Sequence, residues 1–285
     1  MQLRRKLGSH HLMSTAPAAA ARLIDAHVHL LPERLSAAIR RFFGAELAPA
    51  LLYPHEPKAA RACLLAAGVQ RCWSLPYVRR AGAASALNRW MAETFAGDPV
   101  VVPGATLHPA DDVAGVLAEA LADLQLPVVK LHCSVGEYEP DDPRLDLLWR
   151  RVSAGGHPVV VHAGHAVNGT TTAMEIEALG RVAHRWPDAR IIVAHCGTPA
   201  VEATLALLRS TRSVYADLTP VTAILAPITR TSIAGLERRV LFGSDAPNVA
   251  VSIENAIAHI RTLELAPGDE AAVLGSTAEQ LLARR

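Results

Sequence analysis

The sequence predicts one (β/α)8 barrel, and three observations carry that expectation. From Leu23 onward, short runs rich in Val and Ile alternate with Ala- and Leu-rich stretches of helical spacing. The strand-type runs number eight, and about 260 residues at roughly 30 per unit match a single closed barrel. The first run ends in histidines, where an open doubly wound sheet would want a glycine-rich phosphate loop.

In chain order the expected strands are Leu23–Val28, Arg71–Tyr77, Val100–Leu107, Val128–His132, Val159–His162, Arg190–His195, Val214–Leu218 and Val240–Gly243. Between and after them, helical spacing runs over Ala83–Ala96, Asp111–Leu124, Pro143–Ala154, Thr171–Trp186, Pro199–Arg209, Val221–Arg238, Ile253–Leu263 and Gly268–Leu282. Strict alternation of this kind implies parallel strands. The connection after the first strand is longer than the others. Residues 36–58 read as an insertion that would lie at the C-terminal face and shape a pocket, or pack as a helix on the barrel rim.

Composition narrows the function. Half of the 285 residues are hydrophobic and only 4% are aromatic, so the core is aliphatic. A net charge of +1 gives no general attraction to nucleic acid or to an anionic membrane. No apolar run reaches the length of a transmembrane helix. The four cysteines, Cys63, Cys72, Cys133 and Cys196, form no C-x-x-C pair, which suits a reducing cytoplasm. Residues 1–22 mix Arg4, Arg5 and Lys6 with Ser, Thr, Pro and Ala. Arg4–Arg5 lacks a following apolar segment, so this stretch reads as an unstructured tail and not as an export signal. Residues 23–285 form the barrel.

Polar residues gather at the C-terminal ends of the expected strands, the face where barrels of this type build active sites. They are His27 and His29 after the first strand, Lys130 and His132 at the fourth, His162 at the fifth, His195 at the sixth and Asp245 after the eighth. His108, past the third, is a weaker signal. Spaced two apart, His27 and His29 point to one side of the strand. The first and eighth strands are neighbours in a closed barrel, which brings Asp245 beside them. His162 and His195 come from adjacent strands on the opposite wall. Several imidazoles with a carboxylate suit a divalent metal such as Zn2+, Mn2+ or Fe2+. Such a metal generates a nucleophile at neutral pH by lowering the pKa of water. Asp245 is placed to take the proton from that water and deliver it to a leaving group.

Five segments also resemble the amidohydrolase superfamily, in its amidohydrolase-2 branch. They are Ile24–Leu30, Val129–His132 with Pro140–Leu145, Pro158–Gly164, Ile192–Gly197 and Leu241–Pro247. That branch includes aminocarboxymuconate semialdehyde decarboxylase and lactonase-type members. The resemblance runs from residue 23 to the end and departs at Gly275–Ala278, where relatives usually read Gly-Asn-Ala. It implies a distorted barrel with one or two divalent metals, Zn2+ foremost, and a homodimer as one assembly. It further implies His27, His29, His162 and Asp245 as ligands, with His195 as a fifth ligand or as the group that polarises the substrate carbonyl.

Lys130 faces the barrel interior. In some superfamily members a carboxylated lysine on this strand bridges two metals. A cationic Lys130 could instead pair with Asp25 or hold a substrate carboxylate. His132 faces the same way as Lys130 and could contact substrate. Tyr77, Arg79, Arg80, His165 and Asn168 fall in loops expected to border the pocket, and an arginine there could clamp a carboxylate. The expected activity is hydrolysis of a small-molecule amide, lactone or ester by metal-activated water, with Asp245 and His195 catalytic. The alternative is metal-dependent, non-oxidative decarboxylation of a small carboxylated substrate, and a non-catalytic binding barrel comes third.

Overall fold

The computed structural model describes residues 22–47, 51–164, 171–219 and 228–283. All eight expected strands are present: β1 Ile24–Val28, β2 Arg71–Ser74, β3 Val101–Thr106, β4 Val128–Leu131, β5 Val159–Val161, β6 Ile191–Val193, β7 Val214–Leu218 and β8 Val240–Phe242. They form one sheet in sequential order, with parallel neighbours throughout. A parallel bridge between Val28 and Ala246 closes it. Two backbone bonds complete the seam, from Asp245 N to His27 O at 2.8 Å and from His29 N to Ala246 O at 2.7 Å.

Alternation divides the strand residues into two cores. Ile24, Ala26, Trp73, Leu75, Val102, Val128, Val160, Ile192, Ala194 and Leu241 fill the barrel, joined by Ala278 and Leu281 of the C-terminal helix Thr277–Leu282. Val129, Leu131, Val159, Val161, Val193, Ala216 and Phe242 point outward into the layer shared with the helices. Strands buried on both faces explain the near-continuous apolar runs of the sequence.

Several expected strands run past the observed ends because their last residues leave the ladder. Tyr77, His132, His162 and His195 all lie beyond the final paired residue and line the mouth. Among the helices, α7 (Thr172–Arg185) shows how the sequence sets an element. The Thr171 side chain accepts from Met174 N at 3.3 Å and caps its start. Ile176, Leu179, Val182 and Ala183 then form the buried stripe at helical spacing.

Where the sequence suggests an insertion at 36–58, there is a helix, Glu33–Leu47, and then a second helix, Pro57–Ala66. Arg40 donates to Tyr53 O and, at 3.3 Å, to Pro247 O, while Tyr53 Oη accepts from Ile253 N at 2.7 Å. This segment is thereby fastened to the chain just after Asp245.

The expected helix Val221–Arg238 is corrected in its described part. Residues 228–236 form turns, followed by the short 3-10 helix Glu237–Arg239. Thr229 and Ser232 exchange side-chain and backbone hydrogen bonds with each other, and such local bonds compete with a helical ladder. Gly235, at φ 76°, then breaks the helical conformation outright. Residues 220–227, 165–170 and the stretch 1–21 lie outside the described residues, and with them His165, Asn168 and nearly all of the expected tail. Among the described residues, no helix is long and apolar enough to cross a membrane.

Trp73 is the largest fully buried side chain in the barrel interior. Trp73→Ala should cost about 3–5 kcal/mol of stability in urea unfolding. A loss below about 1 kcal/mol would mean that the ring does not hold the inner core together.

Candidate metal centre at the barrel mouth

Simple alternation from Ile24 would send His27 outward, and a bulge in β1 prevents that. Register passes from Asp25 opposite Cys72 to Val28 opposite Ser74, three residues on one strand against two on the other. As a result Ala26 fills the interior and Val28 packs outside, while His27 and His29 both face the mouth. Asp25 accepts from His27 N at 3.1 Å and Ser244 N at 3.0 Å, which ties the bulge to the segment after β8. Gly243 leaves the space His27 needs, since a Cβ there would lie 2.8 Å from His27 Cβ.

His195 needs a second departure from regularity. Ala194 already points into the barrel, so the next residue of a straight strand would point away. His195 instead adopts φ 56°, and Asp245 adopts φ 60°. Left-handed backbone at a residue with a Cβ costs about 1–2 kcal/mol. The return is position. The His195 ring lies 5.0 Å from that of His27, and its Nε2 is 3.1 Å from His162 Nδ1.

The centre itself is a set of converging ring nitrogens and a carboxylate oxygen. His29 Nδ1 is 2.7 Å from Leu75 O, and a carbonyl only accepts, so Nδ1 carries a hydrogen and Nε2 is the ring nitrogen that faces the mouth. That Nε2 is 3.1 Å from Asp245 Oδ1, and His27 Nε2 is 3.6 Å from the same oxygen. Two ring nitrogens and a carboxylate oxygen this close together make a donor set that a cation can share. Their chemistry, two imidazole nitrogens and a carboxylate, fits a divalent metal.

Electrostatics agree. Burial, reinforced by Lys130 and the neighbouring rings, holds His27 well below its ordinary 6.5. Burial does the same for His132 and His162. These imidazoles are neutral, the form that binds metal. Burial alone would raise Asp245, but His29, His195 and Lys130 around it hold it below the ordinary carboxylate range. Lys130 is fully buried, with Nζ 3.3 Å from His27 Nε2. Desolvation lowers it, while Asp217 and Asp245 act in the opposite sense.

An amidohydrolase family model of the amidohydrolase-2 type matches residues 24–284, nearly the whole described barrel. The chain belongs to the amidohydrolase family. No curated protein matches it. Solved structures share the fold at low identity. An uncharacterised TIM-barrel protein from Bordetella bronchiseptica is 20% identical with a TM-score of 0.72, over 92% of this chain and 98% of the other. A dihydroxybenzoic acid decarboxylase from Polaromonas, with manganese and the inhibitor 2-nitroresorcinol bound, is 17% identical with a TM-score of 0.67, over 92% and 97%. An amidohydrolase from Burkholderia multivorans with bound zinc is 18% identical with a TM-score of 0.66, over 93% and 100%.

Within this amidohydrolase barrel the expected residues separate into groups. His27, His29 and Asp245 converge, and His195 stands beside His27. His162 belongs to the opposite wall. Its Nε2 is 2.6 Å from Gly164 O, its Nδ1 meets His195, and its ring stacks on His132 at 3.9 Å. Tyr77 extends that wall, 4.8 Å from His132 and 5.4 Å from His29. The suggested pairing of Lys130 with Asp25 is corrected. Asp25 lies before the bulge on the outward side of β1, against Ser244, and the carboxylates acting on Lys130 are Asp217 and Asp245. Arg79 and Arg80 are exposed on the turn after β2. His108 is tied to the segment after β4, with its Nε2 2.9 Å from Gly136 O.

Asp217 is the residue that the sequence analysis passed over. It is fully buried on β7, with Oδ2 2.8 Å from His27 Nδ1. The signal was available: an acidic residue inside the apolar strand Val214–Leu218, at the inward parity set by outward Ala216 and Leu218.

The neutral imidazoles lead to a pH expectation. An imidazole whose pKa is depressed gains its proton only below the ordinary range. In metal-free protein, none of the rings of His27, His132 and His162 should therefore gain its proton near the ordinary 6.5 in an NMR titration. A midpoint near the ordinary 6.5 for any of them would contradict the burial argument.

Proposed function

We propose that this chain is a metal-dependent, non-oxidative decarboxylase of a small carboxylated molecule. The observation that carries the reading is the convergence of His27 Nε2, His29 Nε2 and Asp245 Oδ1, with Lys130 Nζ 3.3 Å from the first of these. His27, His29 and Asp245 would hold a divalent cation, Mn2+ or Zn2+, and His195 stands close enough to join them. When bound, that cation supplies Lewis acidity toward the oxygens of the substrate. Lys130 adds a second positive group for a carboxylate on the same floor. Tyr77, His132 and His162 form an uncharged ring wall above it, a low-dielectric surround that favours loss of neutral carbon dioxide from an anion.

Asp245 is the proton carrier. Ionised at rest, it takes a proton from solvent or from a substrate hydroxyl. As the carbon–carboxylate bond breaks, the electron pair stays on the substrate carbon and carbon dioxide departs. Asp245 then gives its proton to that carbon. The shared fold with a manganese-bound decarboxylase supports the reading by analogy. Hydrolysis of an amide, lactone or ester is the second reading. The same carboxylate is placed to take a proton from water, and a zinc-bound amidohydrolase shares the fold.

The test is a panel of small aromatic and unsaturated carboxylic acids assayed for carbon dioxide release, beside lactones and amides assayed for acid production. Carbon dioxide release from a panel member is expected. Lactone or amide cleavage with no carbon dioxide would move the assignment to the second reading. In either chemistry, Asp245→Asn should lower turnover by about a hundredfold or more and leave the thermal midpoint within a few degrees. Near-normal turnover would remove Asp245 from the mechanism.

A further inference from the structure

We propose that Asp217 is the positioning residue of this centre, a single buried carboxylate that orients His27 and fixes the backbone of His195. Its two oxygens are both engaged. Oδ2 is 2.8 Å from His27 Nδ1, and Oδ1 accepts from His195 N at 2.8 Å. His27, His195 and Asp217 also lie close enough to look like a ligand trio. The two engaged oxygens argue for orientation over ligation.

At His27, a carboxylate accepting at Nδ1 puts the hydrogen on that nitrogen. The lone pair then stands at Nε2, which faces Asp245. A carboxylate behind a metal-binding histidine fixes its tautomer and ring plane and raises its basicity. At His195, the left-handed φ of 56° has to be held, and the bond from its backbone N–H to Asp217 holds it. Thr219, two residues further along the chain from Asp217, has Oγ1 2.8 Å from His195 Nδ1 and orients the ring. One inward-facing position on β7 therefore serves histidines from β1 and from the end of β6.

Asp217→Asn separates this role from a merely structural one. The amide oxygen can still accept from His195 N, but its NH2 then faces His27 Nδ1. That nitrogen must become an acceptor, and the hydrogen moves to Nε2. The experiment is long-range 1H–15N NMR on metal-free protein carrying 15N-histidine, with Mn2+ affinity measured in parallel. In the wild-type chain the Nδ1–H tautomer of His27 is expected. The variant should show Nε2–H and bind Mn2+ about 10- to 100-fold more weakly. A merely structural carboxylate would lower the thermal midpoint and leave tautomer and affinity alone.

An Nε2–H tautomer in the wild-type chain overturns the proposal even if the variant does not fold, as does variant affinity within about twofold of wild type. The inference rests on the metal-centre reading and not on the reaction. Tautomer and Mn2+ affinity are read without substrate, so its failure is distinguishable from failure of the decarboxylase assignment.

Discussion

The seam between β1 and β8 is the interaction on which the mouth depends. Asp245 N bonds to His27 O and His29 N to Ala246 O, so the backbone itself interleaves the two histidines with the aspartate from the far end of the chain. No side-chain attraction could bring these groups together as reliably. The imidazoles of His27 and His29 are buried there and the carboxylate largely so, and each would be costly to bury without the others. Barrel closure settles the entropy of that encounter during folding, and the site inherits it.

Around the seam, the chain departs from ideal geometry where chemistry needs a side chain redirected. A bulge turns His27 inward. Left-handed residues at His195 and Asp245 aim groups that regular strands would have pointed elsewhere. A glycine at position 243 leaves the room that His27 occupies. Buried carboxylates anchor these departures. Asp25 spans the bulge and the β8 end, and burial pushes it up to about 7 although backbone N–H groups oppose this. Burial raises Asp217 in the same way, against the bond from His195 and the charge of Lys130. These destabilising features are concentrated within one small volume, and a large aliphatic core of two concentric layers offsets them.

Much of this was legible in the sequence. Eight apolar runs fixed the strands, because parallel strands buried on both faces must be apolar nearly throughout. His27, His29 and Asp245 could be placed together because closure makes the first and last strands neighbours. The illegible parts have physical causes. His162 was implied as a ligand and His195 as a fifth ligand or a carbonyl-polarising group, but how their rings turn depends on partners such as Gly164 O and Thr219 that no periodicity announces. The inward turn of His27 depended on a bulge, and a bulge shifts parity without leaving a mark in composition. Asp217 went unnoticed because it stands in mid-strand and not at a strand end. The missing helix at 229–238 shows the opposite failure, where helical spacing gave way to Thr229, Ser232 and Gly235.

The most direct test of the central claim is the metal content of the chain, purified without an affinity tag or added metal and measured by elemental analysis. The account predicts about one equivalent of divalent metal per chain, lost when His27 and His29 are both replaced by alanine. A fully folded chain with no metal, and none taken up from added manganese or zinc, would contradict it.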